Sequence, residues 1–285
     1  MILGYDRDRW EETTPTPANT LQVFITNECN KRCKACFYAD GLGKGQVGLD
    51  DYRWIVRDYA SAVDKVVILG GEPTMHNDLP RMIDVNNNLG LRTTVYTNGY
   101  NLPLLEQANL SETSIRIGVM GRERSEKPLA ELPATDLPVT VVYMLRKDNV
   151  DELMETAIIA EKKFNCRAFY ISSIRDITAT YDYWKDTEET VPLEDYCRIV
   201  SDFVNDYEGN IPLLHIARRG VLEPSTKPIA SAKHCRFGNI FPDGKKITCP
   251  LDISLSIYSD ELSFGKRACN KNDECLLQKI VLKRI

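Results

Sequence analysis

One stretch decides the fold of this 285-residue chain: residues 21–36 read LQVFITNECNKRCKAC. Five of its first six residues are apolar or β-branched, which predicts a strand from Leu21 to Thr26. Three cysteines, Cys29, Cys33 and Cys36, follow within eight residues. A loop with three thiols directly after a strand indicates a metal or redox site at the carboxyl end of that strand.

Strands and helices alternate along the residues that follow. The further strand candidates are Lys65–Leu69, Arg92–Thr97, Ser114–Met120, Val139–Arg146 and Arg167–Ile174. The helix candidates are Leu49–Val63, Leu79–Asn88, Asp151–Phe164 and Leu193–Tyr207. Asp50 and Asp151 are predicted to cap two of these helices. The alternation predicts an α/β fold with a parallel sheet of βα units.

Composition narrows the class of protein. The chain has 36 Lys+Arg against 41 Asp+Glu, and 43% of its residues are hydrophobic. This apolar share predicts a sizeable core, and the acidic balance argues against nucleic acid as the main partner. The chain contains neither a run of 18 apolar residues nor an N-terminal apolar segment of the secretory type. We therefore expect a cytoplasmic protein with no membrane partner.

The nine cysteines are the unusual part of the composition. An odd number in a cytosolic chain of this size argues against a disulfide framework and favours metal or redox use. Besides the first three, four cysteines lie in the last 51 residues: Cys235, Cys249, Cys269 and Cys275. The remaining two, Cys166 and Cys197, lie alone between these groups. The two groups predict two metal sites, built by opposite ends of the chain.

Three thiolates on one loop suit a cubane [4Fe-4S] cluster with one iron left open. An open iron can bind a small molecule through an amine and a carboxylate. The alternative is a zinc loop, which needs a fourth ligand. No histidine follows at close zinc spacing, although His76 is adjacent to the Gly70–Pro73 turn.

Two further motifs accompany the cysteine loop: Gly70-Gly71-Glu72-Pro73 ends the next predicted strand, and Thr97-Asn98-Gly99 ends the one after. With residues 140–153, these motifs resemble the radical S-adenosylmethionine (SAM) superfamily over about residues 20–175. The resemblance implies a partial (β/α)6 TIM-like barrel, with a cluster bound by Cys29, Cys33 and Cys36. It also implies SAM contacts from Gly70, Gly71, Glu72, Pro73, Thr97, Asn98 and Arg146. The family usually has an aromatic residue just before the third cysteine, and that position is Ala35 here. Phe37 is therefore expected to stack on the adenine, with Tyr38 as the second candidate.

The C-terminal cysteines surround a predicted hairpin turn at Pro242-Asp243-Gly244. This layout resembles the SPASM and twitch auxiliary-cluster domains, and four cysteines suit the shorter twitch form. The resemblance implies a second [4Fe-4S] cluster held by Cys235, Cys249, Cys269 and Cys275, with zinc as the alternative. The predicted domains are an N-terminal extension (1–19), a radical SAM core (20–210) and a small cysteine-rich auxiliary domain (211–285).

The resemblance also implies the chemistry. A flavodoxin- or ferredoxin-type protein would supply one electron, SAM would cleave to a 5′-deoxyadenosyl radical, and that radical would abstract a hydrogen atom from a substrate carbon. We expect natural-product tailoring, namely oxidation of a small aminocyclitol or sugar-like molecule.

Two alternatives remain open. One is epimerisation or crosslinking of a ribosomal peptide. There Cys166 or Cys197, otherwise expected to be buried structural thiols, could donate a hydrogen atom. The other is a non-catalytic iron–sulfur electron carrier or a zinc-binding module. Residues that could line a substrate pocket are Tyr143, Tyr170, His215, Arg218 and Arg219.

Overall fold

A computed structural model describes residues 2–4, 19–33, 36, 38–120, 129–173, 191–215 and 237–247. The strands in these residues are β1 (Ile2–Gly4), β2 (Thr20–Phe24), β3 (Lys65–Leu69), β4 (Arg92–Thr97), β5 (Thr113–Val119), β6 (Thr135–Leu145), β7 (Phe164–Ser173), β8 (Leu213–His215), β9 (Phe237–Ile240) and β10 (Lys246–Ile247). The α-helices are α1 (Leu49–Tyr59), α2 (Leu79–Asn88), α3 (Leu153–Lys163) and α4 (Leu193–Asp206).

All these strands belong to one sheet, in the order β1-β8-β7-β6-β5-β4-β3-β2-β9-β10. The six strands from β2 to β7 are parallel, and each pairs with the next strand along the chain. The predicted α/β fold with a parallel sheet is therefore confirmed. Parallel order brings the carboxyl ends of these strands to one edge, which gathers the loops that follow β2, β3, β4 and β6.

The core forms because the central strands are apolar on both faces, as parallel strands covered by helices require. In β3, Val66 and Ile68 are completely buried and Val67 is nearly so. Among the described residues, no helix is long and apolar enough to cross a membrane.

Neither predicted aspartate cap is found. Helix α1 begins at Leu49 with Gly48 as its N-cap, so Asp50 lies in the first turn. There its Oδ1 accepts a hydrogen bond from Arg53 Nη1 at 2.7 Å. A carboxylate in the first turn still interacts favourably with the positive end of the helix dipole. Asp151 lies in a 3₁₀ turn, Val150–Glu152, that precedes α3.

The predicted hairpin at Pro242-Asp243-Gly244 is confirmed. Strands β9 and β10 are antiparallel, and Gly244 adopts a φ of +79°, a left-handed conformation that favours glycine. Strand β9 also pairs in parallel with β2, while β8 pairs with β7. Strands β8, β9 and β10, the described strands beyond residue 210, therefore continue the same sheet as β2 to β7.

Candidate active site at the carboxyl ends of the strands

The cysteine loop follows β2 and folds back on itself. The Lys31 amide donates to Cys29 Sγ at 3.4 Å, and the Cys36 amide donates to the Cys33 carbonyl at 3.1 Å. Arg32 Nη1 donates to the carbonyl oxygens of Cys29 and Lys31, both at 2.8 Å. All three cysteines lie outside disulfide bonds and are of intermediate exposure.

Burial makes these thiols poor acids in the absence of a metal. It raises the pKa of Cys29, and it raises the pKa of Cys36 to about 11. The charge of neighbouring thiolates acts in the same direction. Loading a metal centre therefore releases protons from this loop.

The described part of the chain contains no ready-made group of three ligating side chains for a single metal ion. A four-iron cluster does not need such a group, because each thiolate binds a different iron. His76, the histidine adjacent to the Gly70–Pro73 turn, has both ring nitrogens occupied. Nε2 lies 2.9 Å from the Val47 carbonyl oxygen, and Nδ1 accepts from the Asp78 amide at 3.1 Å. His76 therefore has a structural role here.

Two glycines let the loop after β3 lie directly against the cysteine loop. The Gly71 amide donates to the Thr26 carbonyl, and the Glu72 amide to the Glu28 carbonyl, both at 2.7 Å. A Cβ on Gly71 would lie 2.1 Å from the Glu28 carbonyl oxygen, and one on Gly70 would lie 2.5 Å from that of Thr26. Side chains are excluded at both positions because the two backbones touch.

The Glu72 carboxylate joins the ends of β3 and β4. It is 1% exposed, and its Oε1 accepts from the Thr74 amide (3.0 Å), the Thr74 hydroxyl (2.7 Å) and the Thr97 hydroxyl (2.5 Å). Oε2 accepts from the Asn98 amide at 2.7 Å. Burial raises the pKa of Glu72, and the four donated hydrogen bonds oppose that rise. The sequence indicated a SAM contact at Glu72 but gave no sign of this second role.

Asn98 connects the same loop to the cysteine loop. Its Nδ2 donates to Asn30 Oδ1 at 2.9 Å, and Asn30 lies between the first two cysteines. Sequence reasoning missed Asn30, whose partner is 68 residues away. The loops after β2, β3 and β4 therefore form one hydrogen-bonded unit.

Substituting Glu72 by glutamine should weaken this unit. The amide group can supply one acceptor oxygen, but its NH₂ must then face a donor, so a buried hydrogen bond is lost. We expect a loss of about 1–3 kcal/mol in the unfolding free energy of the apoprotein, measured in urea. The matched control is Glu112→Gln, at an exposed position. Equal unfolding curves for Glu72→Gln and wild type would contradict the account of this contact.

Arg146 lies at the same edge, directly after β6. Its side chain is almost fully buried and forms a bidentate pair with Asp148, with Nη2 2.6 Å from each carboxylate oxygen. The Asn149 side chain accepts from the Arg146 amide at 2.8 Å. This clamp fixes the guanidinium at the edge where the other predicted SAM contacts lie.

Tyr38 is buried in an aromatic cluster with Phe24 and Phe241, and its hydroxyl donates to Asn27 Oδ1 at 2.5 Å. This packing accounts for the burial of Tyr38 without a ligand. Several predicted site residues lie outside the described residues: Phe37, Cys235, Cys249, Cys269, Cys275, Arg218 and Arg219.

Residues 23–166, just over half of the chain, match the radical SAM superfamily. This chain belongs to the radical SAM superfamily. Membership makes it an enzyme and implies a [4Fe-4S] cluster and SAM as its cofactors.

One sequence match is short, and another spans most of the chain at low identity. A GTP 3′,8-cyclase of Tolumonas auensis is 36% identical over 88 residues, which cover 29% of this chain and 26% of that protein. The chain thus spans about a quarter of that relative's length. A probable GTP 3′,8-cyclase of Saccharolobus islandicus is 20% identical over 279 residues, covering 86% of this chain and 90% of that protein.

The fold is also similar to that of Streptococcus suis SuiB in its complex with the precursor peptide SuiA. The TM-score is 0.66 at 17% identity, over 90% of this chain and 63% of SuiB. At this identity the likeness shows the fold alone.

Cys166 lies at the opposite end of the sheet from the cysteine loop. Cys166 is the third residue of β7, so it lies about 20 Å along the strand from the carboxyl edge. Its Sγ contacts the Ala168 carbonyl oxygen at 3.2 Å, and burial raises its pKa. Cys197 is on α4 and packs against the main core. Tyr143, a predicted pocket residue, is fully buried and donates to the Asn149 carbonyl at 2.5 Å.

Proposed function

We propose that Cys29, Cys33 and Cys36 hold a [4Fe-4S] cluster whose open iron binds SAM. The observation that carries this proposal is the hydrogen-bonded unit of three loops at one edge of the sheet. Gly71 pairs with the cysteine loop through Thr26, and Asn98 pairs with it through Asn30. The loops that would hold the cluster and SAM are therefore fixed relative to each other before either cofactor binds.

The chain's own residues would bind and orient SAM. Backbone groups of the Gly70–Pro73 turn, together with Glu72, would hold the ammonium group, and the Arg146 guanidinium would lie near the bound cofactor. Thr97 and Asn98 would lie near the ribose, and Phe37 would stack on the adenine. When bound, the cluster and SAM supply a one-electron cleavage that yields a 5′-deoxyadenosyl radical, with the electron from a flavodoxin- or ferredoxin-type protein.

The surrounding fold is proposed to be a partial (β/α)6 barrel. Six parallel strands in sequential order, β2 to β7, support it. In such barrels the reaction takes place at the carboxyl ends of the strands. The edge that carries the cysteine loop is that end.

We further propose a second, auxiliary [4Fe-4S] cluster in a twitch-like domain. Cys235 precedes β9 by two residues, and Cys249 follows β10 by two residues. Because β9 and β10 are antiparallel, the start of β9 lies on the same side as the end of β10. This supports a shared metal site for these two cysteines. Cys269 and Cys275 would complete it.

Iron content tests the auxiliary cluster. Anaerobically reconstituted protein should bind about eight irons per chain, and Cys249→Ser should bind about four while still cleaving SAM. The control is Ser201→Ala, at an exposed position of α4. A wild-type protein that retains four irons after full reconstitution would rule out the second cluster.

The substrate proposal has two branches. Oxidation of an aminocyclitol or sugar-like molecule remains the prediction from the sequence. Modification of a peptide draws support from SuiB, which has this fold and is bound to a precursor peptide. The relatives named GTP 3′,8-cyclase make GTP a necessary third test substrate.

The test of the proposed function is anaerobic incubation with dithionite and SAM, followed by quantification of 5′-deoxyadenosine. A substrate deuterated at the reacting carbon would transfer deuterium to that product. An iron–sulfur carrier or a zinc module would form no 5′-deoxyadenosine.

A further inference from the structure

A second, small buried cluster lies apart from the main core. It consists of Phe24, Tyr38 and Phe241, which are 0%, 4% and 7% exposed. The centroid of the Phe24 ring lies 4.7 Å from that of Tyr38 and 4.6 Å from that of Phe241. The centroids of the Tyr38 and Phe241 rings are 5.9 Å apart. Three rings at these distances form a continuous apolar contact.

The three rings come from three separate parts of the chain. Phe24 ends β2, Tyr38 follows the cysteine loop, and Phe241 begins the turn of the C-terminal hairpin. Phe241 reaches the other two because β9 pairs in parallel with β2, with Ile240 beside Val23. The hairpin thus contributes one wall of a cluster that is otherwise built around the cysteine loop.

This aromatic cluster supports the Cys36 end of the loop. Cys36 packs against it, together with Leu42 and Leu69. The Ala39 amide donates to the Cys36 carbonyl at 3.3 Å, and a 3₁₀ helix, Ala39–Gly41, wraps over the Tyr38 ring. A Cβ on Gly41 would lie 2.3 Å from that ring, so the wrap is close.

We infer that Phe241 is a positioning residue for the SAM-binding cluster. Its ring holds Tyr38 and Phe24 behind Cys36 and keeps water from that side of the cluster. The inference rests on the proposed ligation of the first cluster by Cys36. It assigns the C-terminal hairpin a role at the first cluster, independent of whether an auxiliary cluster binds.

The test compares Phe241→Ala, Phe241→Leu and Phe241→Tyr in reconstituted full-length protein. The readouts are the rate at which the absorbance of the SAM-binding cluster bleaches in air and the reduction potential of that cluster, both recorded in a Cys249→Ser background that removes the proposed auxiliary cluster. The cluster absorbance of Phe241→Ala should bleach several-fold faster than that of the wild type. Its potential should rise, because water stabilises the more negatively charged reduced form. Phe241→Leu should show the same changes to a smaller extent, and Phe241→Tyr should restore wild-type behaviour.

The matched control is Phe203→Ala, which removes a ring of similar burial from α4 in the main core. It should lower the melting temperature without altering either readout. The inference is overturned if Phe241→Ala and Phe241→Leu keep the wild-type bleaching rate and potential, or if Phe203→Ala changes them equally. Failure of the proposed function looks different, because Cys36→Ala would then keep the full iron content and the SAM-sensitive signal of the wild type.

Discussion

Replacing Cys33 by alanine should abolish the formation of 5′-deoxyadenosine. Cys33 is the middle of three half-buried thiols, none in a disulfide, on a loop whose turns are fixed by its own backbone and by Arg32. Without this thiolate, one more iron of a cubane loses its protein ligand, so the cluster should not assemble in a SAM-binding form. The measurement is 5′-deoxyadenosine after anaerobic reconstitution with dithionite and SAM, and the expected yield is that of a sample without enzyme.

Cys166→Ala is the matched control for this experiment. It removes a thiol of intermediate exposure near the amino end of β7, far from the cysteine loop, so uncoupled SAM cleavage should be unchanged. If Cys33→Ala forms as much 5′-deoxyadenosine as wild type, the proposed cluster site is wrong. When a substrate is known, unchanged product from Cys166→Ala and Cys197→Ala would also remove both as hydrogen-atom donors.

Replacing Gly71 by alanine should prevent the cluster from loading, although it changes no ligand. The added methyl would lie 2.1 Å from the Glu28 carbonyl oxygen and 3.0 Å from Cys29 Cβ. The first of these neighbours is backbone, which cannot move aside as a flexible side chain does. The loops after β2 and β3 must therefore separate. We expect the unfolding free energy of the apoprotein to fall by about 3 kcal/mol and the iron content of the reconstituted protein to fall with it.

Gly43→Ala provides the control for a glycine in the same part of the chain. A Cβ at Gly43 meets nothing within 4 Å, and its backbone does not require a left-handed conformation. This variant should match wild type in both stability and iron. Normal iron loading by Gly71→Ala would contradict the claim that contact between the two loops shapes the cluster site.

The elements that the sequence predicted best were those with distinct ends. The bounds of β3, β4 and α2 are as predicted, because Gly70 and Asn98 mark the strand ends and Leu79-Pro80 opens the helix. Strand β6 was predicted from Val139 but begins at Thr135. Its start contains Pro138 and two register shifts, so the regular pattern of a strand is interrupted there.

The candidate site was predictable only as a set of motifs. Cys29, Glu72 and Asn98 stand out in the sequence because each belongs to a short local pattern. Their mutual contacts depend on which strands are neighbours, and that arrangement is not encoded locally. The bond between Asn98 and Asn30, and the stacking of Phe241 on Phe24, join residues far apart in the chain.

The central claim is that three thiolates hold a four-iron cluster whose open iron binds SAM. Electron paramagnetic resonance of the reduced, reconstituted protein tests it most directly, with spectra recorded before and after the addition of SAM. We expect SAM to shift part of the four-iron signal, and we expect this SAM-sensitive part to be absent from Cys33→Ala, which keeps only the proposed auxiliary cluster. A spectrum that SAM leaves wholly unchanged, or a SAM-sensitive signal that persists in Cys33→Ala as in wild type, would contradict the claim.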